Sequence, residues 1–162
     1  INKRAAYFIN EAMECLGGAG YVEDSMMPRL YREAPLNGIW EGSGNVICLD
    51  VLRAIARTPA ALEVFLNEIL QAKGESALLD REVQEIQQAF SNQEYGQYQA
   101  RFLTEKLAIC LQASLMIRYG HPAVRDAFLM SRLGGQSGRA YGTMYRQVDN
   151  KTILERSWPD PG

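Results

Sequence analysis

Residues 14–45 have the sequence ECLGGAGYVEDSMMPRLYREAPLNGIWEGSGN. The stretch contains two glycine clusters, at residues 17–20 and 38–44, and they are separated by a segment that Pro28 opens. Glycine accepts the left-handed backbone that ends a helix, and proline is favoured in the first turn of a helix. The stretch therefore predicts a helix that stops at the first cluster, a short helix from Pro28, and a turn before a helix near Asn45.

Outward from this stretch, apolar residues recur at helical spacing in nearly every segment, and long apolar–polar alternation is missing. Thr58 and Pro59 predict an N-cap and the first turn of a helix. A helix over residues 137–149 is weakened by its glycines. We predict an all-α fold, a bundle of six or seven helices joined by short turns. Six predicted helices cover residues 3–16, 45–57, 59–72, 76–90, 95–119 and 121–133, and the weaker patterns at 28–34 and 137–149 supply the remaining candidates.

Composition is that of an ordinary globular domain: 162 residues, 47% hydrophobic, 22% charged and a net charge of −2. It excludes a disordered tail, a collagen-like fibre and a disulfide scaffold, and no apolar run approaches the roughly 20 residues of a membrane span. Cys15, Cys48 and Cys110 lack CxxC spacing and predict reduced, buried thiols in a cytoplasmic protein. Ile1 already lies inside a helical pattern, so we expect a fragment of a longer protein.

Three linked motifs in the opening stretch carry a family resemblance. They are the turn at residues 14–21, the Arg32-Glu33 pair and the loop at residues 40–45. In this order they resemble the C-terminal helical domain of the acyl-CoA dehydrogenase family, and within it the AidB-like branch. That branch comprises flavoproteins of the bacterial response to DNA alkylation, with an appended helical region associated with DNA binding. The resemblance predicts that residues 1–58 belong to the family domain and contain its catalytic loop. Residues 59–162 are predicted to form an appended helical region that packs on it.

The resemblance implies a catalytic role for Glu41 in an FAD-dependent oxidoreductase. The matching glutamate in the family removes the α-proton of an acyl-CoA while the β-hydrogen leaves as hydride to flavin N5. Its backbone N–H and a flavin hydroxyl stabilise the developing enolate oxygen. Trp40 and Gly42 are then expected to line the acyl pocket. The alternative is that Glu41 is a turn carboxylate that caps the helix beginning near Asn45.

Cofactor contacts are implied for two groups of residues. The first group is Glu14, Gly17, Gly18 and Gly20. In the family this turn contacts an FAD that is held by a neighbouring subunit. The resemblance therefore implies a homo-oligomer, namely a tetramer. Ser43 and Asn45 form the second, because they keep the hydroxyl and amide of the family's loop. Glu14 replaces a glutamine and cannot donate a hydrogen bond unless it is protonated. Independently of any cofactor, the glycines favour a helix stop and turn.

A basic stripe follows in the C-terminal part. Arg118, Arg125, Arg132, Arg139 and Arg146 are spaced seven apart, and residues 118–156 hold seven basic residues against three acidic ones. Tyr119, Tyr141 and Tyr145 lie near the stripe. Phosphate contacts by such a patch would be salt-sensitive and largely independent of DNA sequence. Nucleic-acid contact by Arg118, Arg125 and Arg132 is the functional hypothesis, and a solvated helix face with ion pairs is the alternative. Arg29 and Arg32 beside Glu33 predict a structural ion pair.

His121 is the only histidine, so a histidine-based metal site or a Ser-His-Asp triad cannot form within these residues. We expect it in an exposed turn, and we expect no metal. The resulting prediction is the C-terminal part of an FAD-dependent acyl-CoA dehydrogenase, inactive and colourless as the isolated fragment. The alternative is an AidB-like DNA-binding, protective flavoprotein with weak or vestigial dehydrogenase activity. A third possibility is that residues 59–162 serve only subunit assembly.

Overall fold

The computed structural model describes residues 2–91, 96–144 and 148–158. Within these ranges the chain forms nine α-helices, and its β-structure is a single antiparallel bridge between Ser137 and Met144. The predicted all-α fold is confirmed. Short 3-10 turns cover Ala34–Gly38, Leu70–Ala72 and Gln97–Gln99. The helices are α1 Asn2–Cys15, α2 Gly18–Tyr21, α3 Met27–Glu33, α4 Gly44–Arg57, α5 Pro59–Ile69, α6 Ala77–Ser91, α7 Ala100–Tyr119, α8 Pro122–Arg132 and α9 Asn150–Ser157.

The predicted helices up to residue 133 are found, most of them with ends shifted by one residue. The helix predicted over 59–72 continues as a 3-10 turn after Ile69, and the one predicted over 95–119 begins at Ala100, with residue 95 outside the described residues. More helices are present than the six or seven predicted, because α2 is a separate single turn and α9 follows α8. Thr58 does precede α5, but its side chain makes no cap hydrogen bond; its carbonyl accepts one from the N–H of Ala61 at 2.9 Å.

The predicted helix over residues 137–149 is wrong. Gly138 N–H donates to the Thr143 carbonyl at 3.1 Å, and Gly142 has a φ of 73°, so a turn replaces the helix. Tyr145 and Arg146 lie outside the described residues. The helix begins later, at Asn150, because the Asp149 carboxylate accepts hydrogen bonds from the backbone N–H and the hydroxyl of Thr152 at 3.0 and 2.7 Å.

The chain divides into two compact units, residues 1–50 and 51–162, with the boundary inside α4. The division into domains at residues 58 and 59 stays a prediction. Within the described residues, no helix is both long and apolar enough to cross a membrane.

Residues 51–162 have a continuous core. On α6 the buried residues Leu79, Val83 and Ile86 recur every three or four positions, and on α7 Leu107 and Cys110 do the same. Burial raises the pKa of the Cys110 thiol to about 11. The cluster of buried residues contains Leu66, Ile69, Ala72, Leu79, Val83, Ile86, Leu107, Cys110, Ala113, Leu129 and Leu133.

Residues 1–50 have little core of their own. Helix α1 packs against α2, α3 and the Ala34–Gly38 turn. Among the described residues of this unit, the buried ones are Gly20, Pro28 and Ala34. A Cβ built on Gly20 would lie 2.5 Å from the Met13 carbonyl oxygen, so glycine permits the close approach of α2 to α1.

Two exposed ion pairs involve α3, one within the helix and one with the loop before it. Arg29 Nε lies 3.1 Å from Glu33 Oε1, which confirms the predicted ion pair for this arginine. Arg32 instead donates two hydrogen bonds to the Glu23 carboxylate, at 2.6 and 3.1 Å. Both pairs are exposed, so each contributes little to stability.

Candidate functional site

Glu41 lies in a left-handed turn between a 3-10 segment and α4. The N–H groups of Ile39 and Trp40 both donate to the Leu36 carbonyl, which closes the segment before it. Glu41 has a φ of 55° and is the only described residue other than glycine with a positive φ. Gly42 follows with a φ of 109°. A left-handed backbone at a residue with a Cβ costs roughly 1 kcal/mol or more and needs surroundings that hold it.

The carboxylate of Glu41 is exposed and uncommitted. Within the described part of the chain it makes no hydrogen bond or ion pair, and the Glu41 N–H donates no hydrogen bond. It therefore does not cap α4, which was the structural alternative. Ile39 and Trp40, which directly precede Glu41, are exposed apolar side chains. The residues beside Glu41 in its own unit thus leave its carboxylate open rather than enclosed in an apolar pocket.

The residues after Glu41 are tightly placed. A Cβ built on Gly42 would lie 3.3 Å from Ile47 Cγ1, and the Ser43 carbonyl accepts a hydrogen bond from the Ile47 N–H at 3.0 Å. A Cβ on Gly44 would lie 2.6 Å from Lys3 Cε, so the side chain of Lys3 lies across the start of α4. Ser43 and Asn45 are exposed, and their side chains make no hydrogen bond among the described residues.

The glycine turn presents an open backbone at its first two glycines. Gly17 has a φ of 59°, and a Cβ on Gly17 or Gly18 would meet no atom within 4 Å. Gly20 is buried against α1, as described above, and Glu14 is exposed. The predicted cofactor contact thus has free access at Gly17 and Gly18, whereas the absence of a side chain at Gly20 is already explained by packing.

The glycine turn and the Glu41 loop lie near opposite ends of α1. Lys3, at the beginning of α1, contacts Gly44, whereas Gly17 follows the last residue of the helix, Cys15. An α-helix rises about 18 Å over the twelve residues from Lys3 to Cys15. The structure therefore leaves the two predicted groups of cofactor contacts as separate patches of this unit.

The described arginines of the predicted stripe occupy different elements. Arg118 is on α7, Arg125 and Arg132 are on α8, and Arg139 is in the loop that follows. Arg146 lies outside the described residues. The stripe is therefore not the face of one helix.

Arg118 is largely engaged within its own unit. Its Nη1 lies 2.5 Å from Glu68 Oε1, its guanidinium stacks on the Tyr119 ring at 4.7 Å, and its side chain is 18% exposed. Arg125 Nε lies 2.7 Å from Asp126 Oδ1. These contacts match the ion-paired alternative for two of the three arginines. Nucleic-acid contact stays a prediction.

Sequence reasoning missed a charged cluster on α6 and α7. Lys106 Nζ donates to Glu85 Oε2 at 2.9 Å and to the Glu82 carboxylate, and it lies 5.2 Å from the centre of the Phe102 ring. Burial opposes the charged amine, but the hydrogen bonds to Glu82 and Glu85 outweigh it and raise the pKa of Lys106. The cluster borders a cavity of about 310 Å³, which Arg132 also lines. The spacing of Glu82 and Glu85 on one helix was its only sequence signal.

The structure corrects two smaller expectations. His121 is partly buried rather than exposed, because its Nδ1 accepts a hydrogen bond from the Ala123 N–H at 3.3 Å and caps α8. Only Cys110 is a buried thiol, since Cys15 is exposed and Cys48 is half-buried. In the part of the chain that the structure describes, His, Cys, Asp and Glu side chains form no cluster that could hold a metal ion.

Comparison with known proteins agrees with the motifs. Residues 1–56 match the family described as acyl-CoA dehydrogenase, C-terminal domain. Escherichia coli (strain K12) AidB, which carries the name of an acyl-CoA dehydrogenase, is 38% identical over 156 residues, 95% of this chain and 28% of its own length. Acyl-CoA dehydrogenase family member 11 of Caenorhabditis elegans is 37% identical over 87 residues, 54% of this chain and 14% of its own length. The chain spans less than a third of either relative. The resemblance predicted from the motifs is confirmed, and residues 1–56 belong to the acyl-CoA dehydrogenase family as part of its C-terminal domain.

Proposed function

We propose that this chain supplies the catalytic base, Glu41, to an FAD-dependent acyl-CoA dehydrogenase of which it is one part. The observation that carries the proposal is the left-handed turn at Glu41, inside the region that matches the family. The turn leaves both the carboxylate and the backbone N–H of Glu41 without partners among the described residues. The carboxylate accepts the α-proton of the acyl-CoA, and the N–H donates to the thioester oxygen as negative charge develops there.

The candidate cofactor residues fit a bound FAD, which would accept the β-hydrogen as hydride. Gly17 and Gly18 offer backbone that no side chain covers, and Ser43 and Asn45 offer a hydroxyl and an amide that are free to hydrogen bond. Because these two patches lie near opposite ends of α1, we place them against different FAD molecules in a homo-oligomer, a tetramer by analogy with the family. Trp40 and Gly42 border the acyl group, and the assembly works in the cytoplasm.

The test is Glu41→Gln in the longer flavoprotein that contains this chain. Glutamine has nearly the same shape but cannot accept the proton, so flavin reduction by acyl-CoA should slow by about 10²–10⁴-fold. The FAD content should be unchanged. Stopped-flow bleaching of the flavin under anaerobic conditions measures the rate. Asp24→Asn is the matched control, since it removes one exposed carboxylate of the same unit that is not part of the Glu41 loop. Bleaching of Glu41→Gln at the wild-type rate would remove Glu41 from the mechanism.

The isolated chain should purify without colour and should not oxidise acyl-CoA. Its two cofactor patches each offer a few loop contacts, too few to offset the loss of freedom on binding a dinucleotide. A visible spectrum of the purified 162-residue chain is sufficient to check this. A yellow protein with one flavin per chain would contradict the proposal that much of the cofactor site lies outside these residues.

A second candidate function is DNA binding, with dehydrogenase activity weak or vestigial. It is favoured by the excess of seven basic over three acidic residues in 118–156 and by the similarity to AidB over 95% of the chain. Changing Arg118, Arg125 and Arg132 to Ala together should weaken duplex binding. It should also flatten the slope of log K against log salt by about 1 for each phosphate that the protein no longer neutralises.

The matched control for this test removes three exposed cations outside the stripe. Arg57, Lys73 and Arg101 changed to Ala alter the net charge by the same amount. If both triple variants lose the same duplex affinity, the effect of the stripe is only that of its net charge. If duplex binding survives Glu41→Gln, DNA binding does not depend on the proposed catalytic base. Duplex binding by the stripe variant at the wild-type affinity and salt slope would leave these arginines as a solvated face.

A further inference from the structure

The turn at Glu41 and Gly42 needs a feature that keeps it left-handed. Both residues have a positive φ, 55° and 109°, and a glutamate relaxes readily from such a backbone into a right-handed or extended one. The Glu41 side chain cannot hold the turn, because it makes no hydrogen bond or ion pair among the described residues. Hydrogen bonds fix the chain just before the turn, at Trp40, and just after it, at the Ser43 carbonyl.

Ile47 packs beside the turn itself. A Cβ built on Gly42 would lie 3.3 Å from Ile47 Cγ1 and 3.7 Å from Ile47 Cδ1, and apart from the chain neighbours no other heavy atom lies within 4 Å of that point. The N–H of Ile47 also donates the hydrogen bond that fixes Ser43. One residue in the first turn of α4 therefore contacts both the middle and the end of the loop.

We propose that Ile47 is a positioning residue for Glu41, an inference that rests on the proposed function. Its side chain fills the space into which the Gly42 backbone would otherwise move, and so keeps the Glu41 carboxylate and N–H on the exposed side of the turn. Glycine is then required at position 42 for two reasons: its φ is positive, and a Cβ there would press on Ile47. The Ile47 side chain makes no contact with reacting atoms in this role.

Val46 provides a matched control. Val46 and Ile47 are adjacent at the beginning of α4, and each is 48% exposed, so truncation to Ala removes comparable apolar surface. Only Ile47 lies within 4 Å of the Gly42 Cβ position. The first measurement is the intraresidue HN–Hα nuclear Overhauser effect of Glu41 in the 162-residue chain, which is strong for a φ near +55°. It should weaken in Ile47→Ala and persist in Val46→Ala.

The second measurement is flavin reduction in the longer protein. Ile47→Ala should lower the rate constant for reduction about tenfold while the acyl-CoA dissociation constant changes less than twofold, and Val46→Ala should change neither. Ile47→Val, which keeps a branched side chain with two γ carbons, should restore most of the rate. Far-UV circular dichroism identifies a variant that has lost its helices. If Ile47→Ala has lost them, the rate of Ile47→Val relative to the wild type and Val46→Ala tests the role of Ile47 instead.

The outcomes separate this inference from the proposed function. If Glu41→Gln reduces flavin at the wild-type rate while Ile47→Ala loses the Glu41 signal, the proposed base is wrong and the role of Ile47 in the turn stands. If Glu41→Gln is inactive while Ile47→Ala keeps both the signal and the rate, the inference about Ile47 is overturned. Equal effects of Ile47→Ala and Val46→Ala would overturn it as well.

Discussion

The two units of this chain differ in how many of their apolar side chains they bury. Residues 51–162 bury a continuous cluster drawn from α5, α6, α7 and α8. Residues 1–50, which contain nearly all of the region that matches the family, bury only three of their described residues. Large exposed apolar patches mark interaction surfaces rather than cores. The exposed large apolar residues of the first unit are Tyr7, Phe8, Leu16, Tyr21, Val22, Met26, Leu30, Tyr31, Leu36, Ile39, Trp40, Val46 and Ile47.

This difference places the buried core and the candidate site in different units of the chain. Residues 51–162 contain the continuous buried core. Residues 1–50 contain the candidate site, with its uncovered glycines, free polar side chains and strained turn. Substitutions should therefore divide into those that unfold the chain and those that change the site without unfolding it.

The largest expected effect is in the core. Ile69 is 0% exposed and Ile39 is 65% exposed, so the same change to Ala tests the contrast between the units. Ile69→Ala should lower the free energy of unfolding by about 3–4 kcal/mol, because it leaves a cavity, and Ile39→Ala should lower it by less than about 0.5 kcal/mol. Urea denaturation followed by circular dichroism measures both. Similar losses at the two positions would contradict the contrast.

The next largest effect concerns the buried thiol. The Cys110 pKa is raised by burial to about 11, above its usual 9.0, so the folded state keeps its proton where the unfolded state loses it. The stability that this provides is complete below pH 9 and is lost as the pH rises through 11, up to about 2–3 kcal/mol. Comparing the pH dependence of unfolding in the wild type and Cys110→Ala isolates the contribution of this thiol. Cys15→Ala, at an exposed cysteine of the other unit, should not alter the profile.

Helix positions could be predicted from the sequence where one periodic face was decisive. On α6 the apolar residues at helical spacing, Leu79, Val83 and Ile86, are buried against the common core. On α7 Leu103, Leu107 and Cys110 are buried, whereas Phe102 and Leu115, which the same apolar pattern includes, are exposed. The prediction failed over residues 137–149, where glycines at 138 and 142 let the backbone turn back on itself. The cap at Asp149 was available in the sequence, but it lies at the end of the region assigned to the wrong helix.

The candidate site could be predicted from the sequence only where its residues form local motifs, and its role stays a prediction. The order of the turn and loop motifs located Glu41 and the glycines, since both are local patterns. Its three-dimensional features could not be predicted, because they depend on tertiary packing. A single sequence carries no signal for the contact of Ile47 with the Gly42 position or of Lys3 with the Gly44 position. The same is true of the ion pair between Arg118 and Glu68.

A smaller effect distinguishes the ion pairs of the two units. The Arg118 side chain, 18% exposed, joins α7 to Glu68 on α5, whereas Arg29 and Glu33 form an exposed pair on α3. Arg118→Ala should lower the free energy of unfolding by more than Arg29→Ala does, and the effect of Arg29→Ala should be close to zero. Thermal unfolding at low and high salt checks both. If Arg118→Ala has no effect, the pair does not stabilise the unit and the arginine is available for other contacts.

The smallest effect is a gain in stability at the proposed catalytic residue. Glu41 has a φ of 55°, a backbone that glycine adopts freely and a residue with a Cβ does not. Glu41→Gly removes both the carboxylate and the strain, whereas Glu41→Ala removes the carboxylate and keeps the strain. Glu41→Gly should therefore be about 0.5–1 kcal/mol more stable than Glu41→Ala, although glycine usually destabilises folded chains by its flexibility in the unfolded state.

Glu33→Gly and Glu33→Ala, within α3, are the control pair, for which the order should be reversed. Urea midpoints of the four variants provide the measurement. A glycine variant at 41 that is less stable than its alanine counterpart would mean that the turn is not strained.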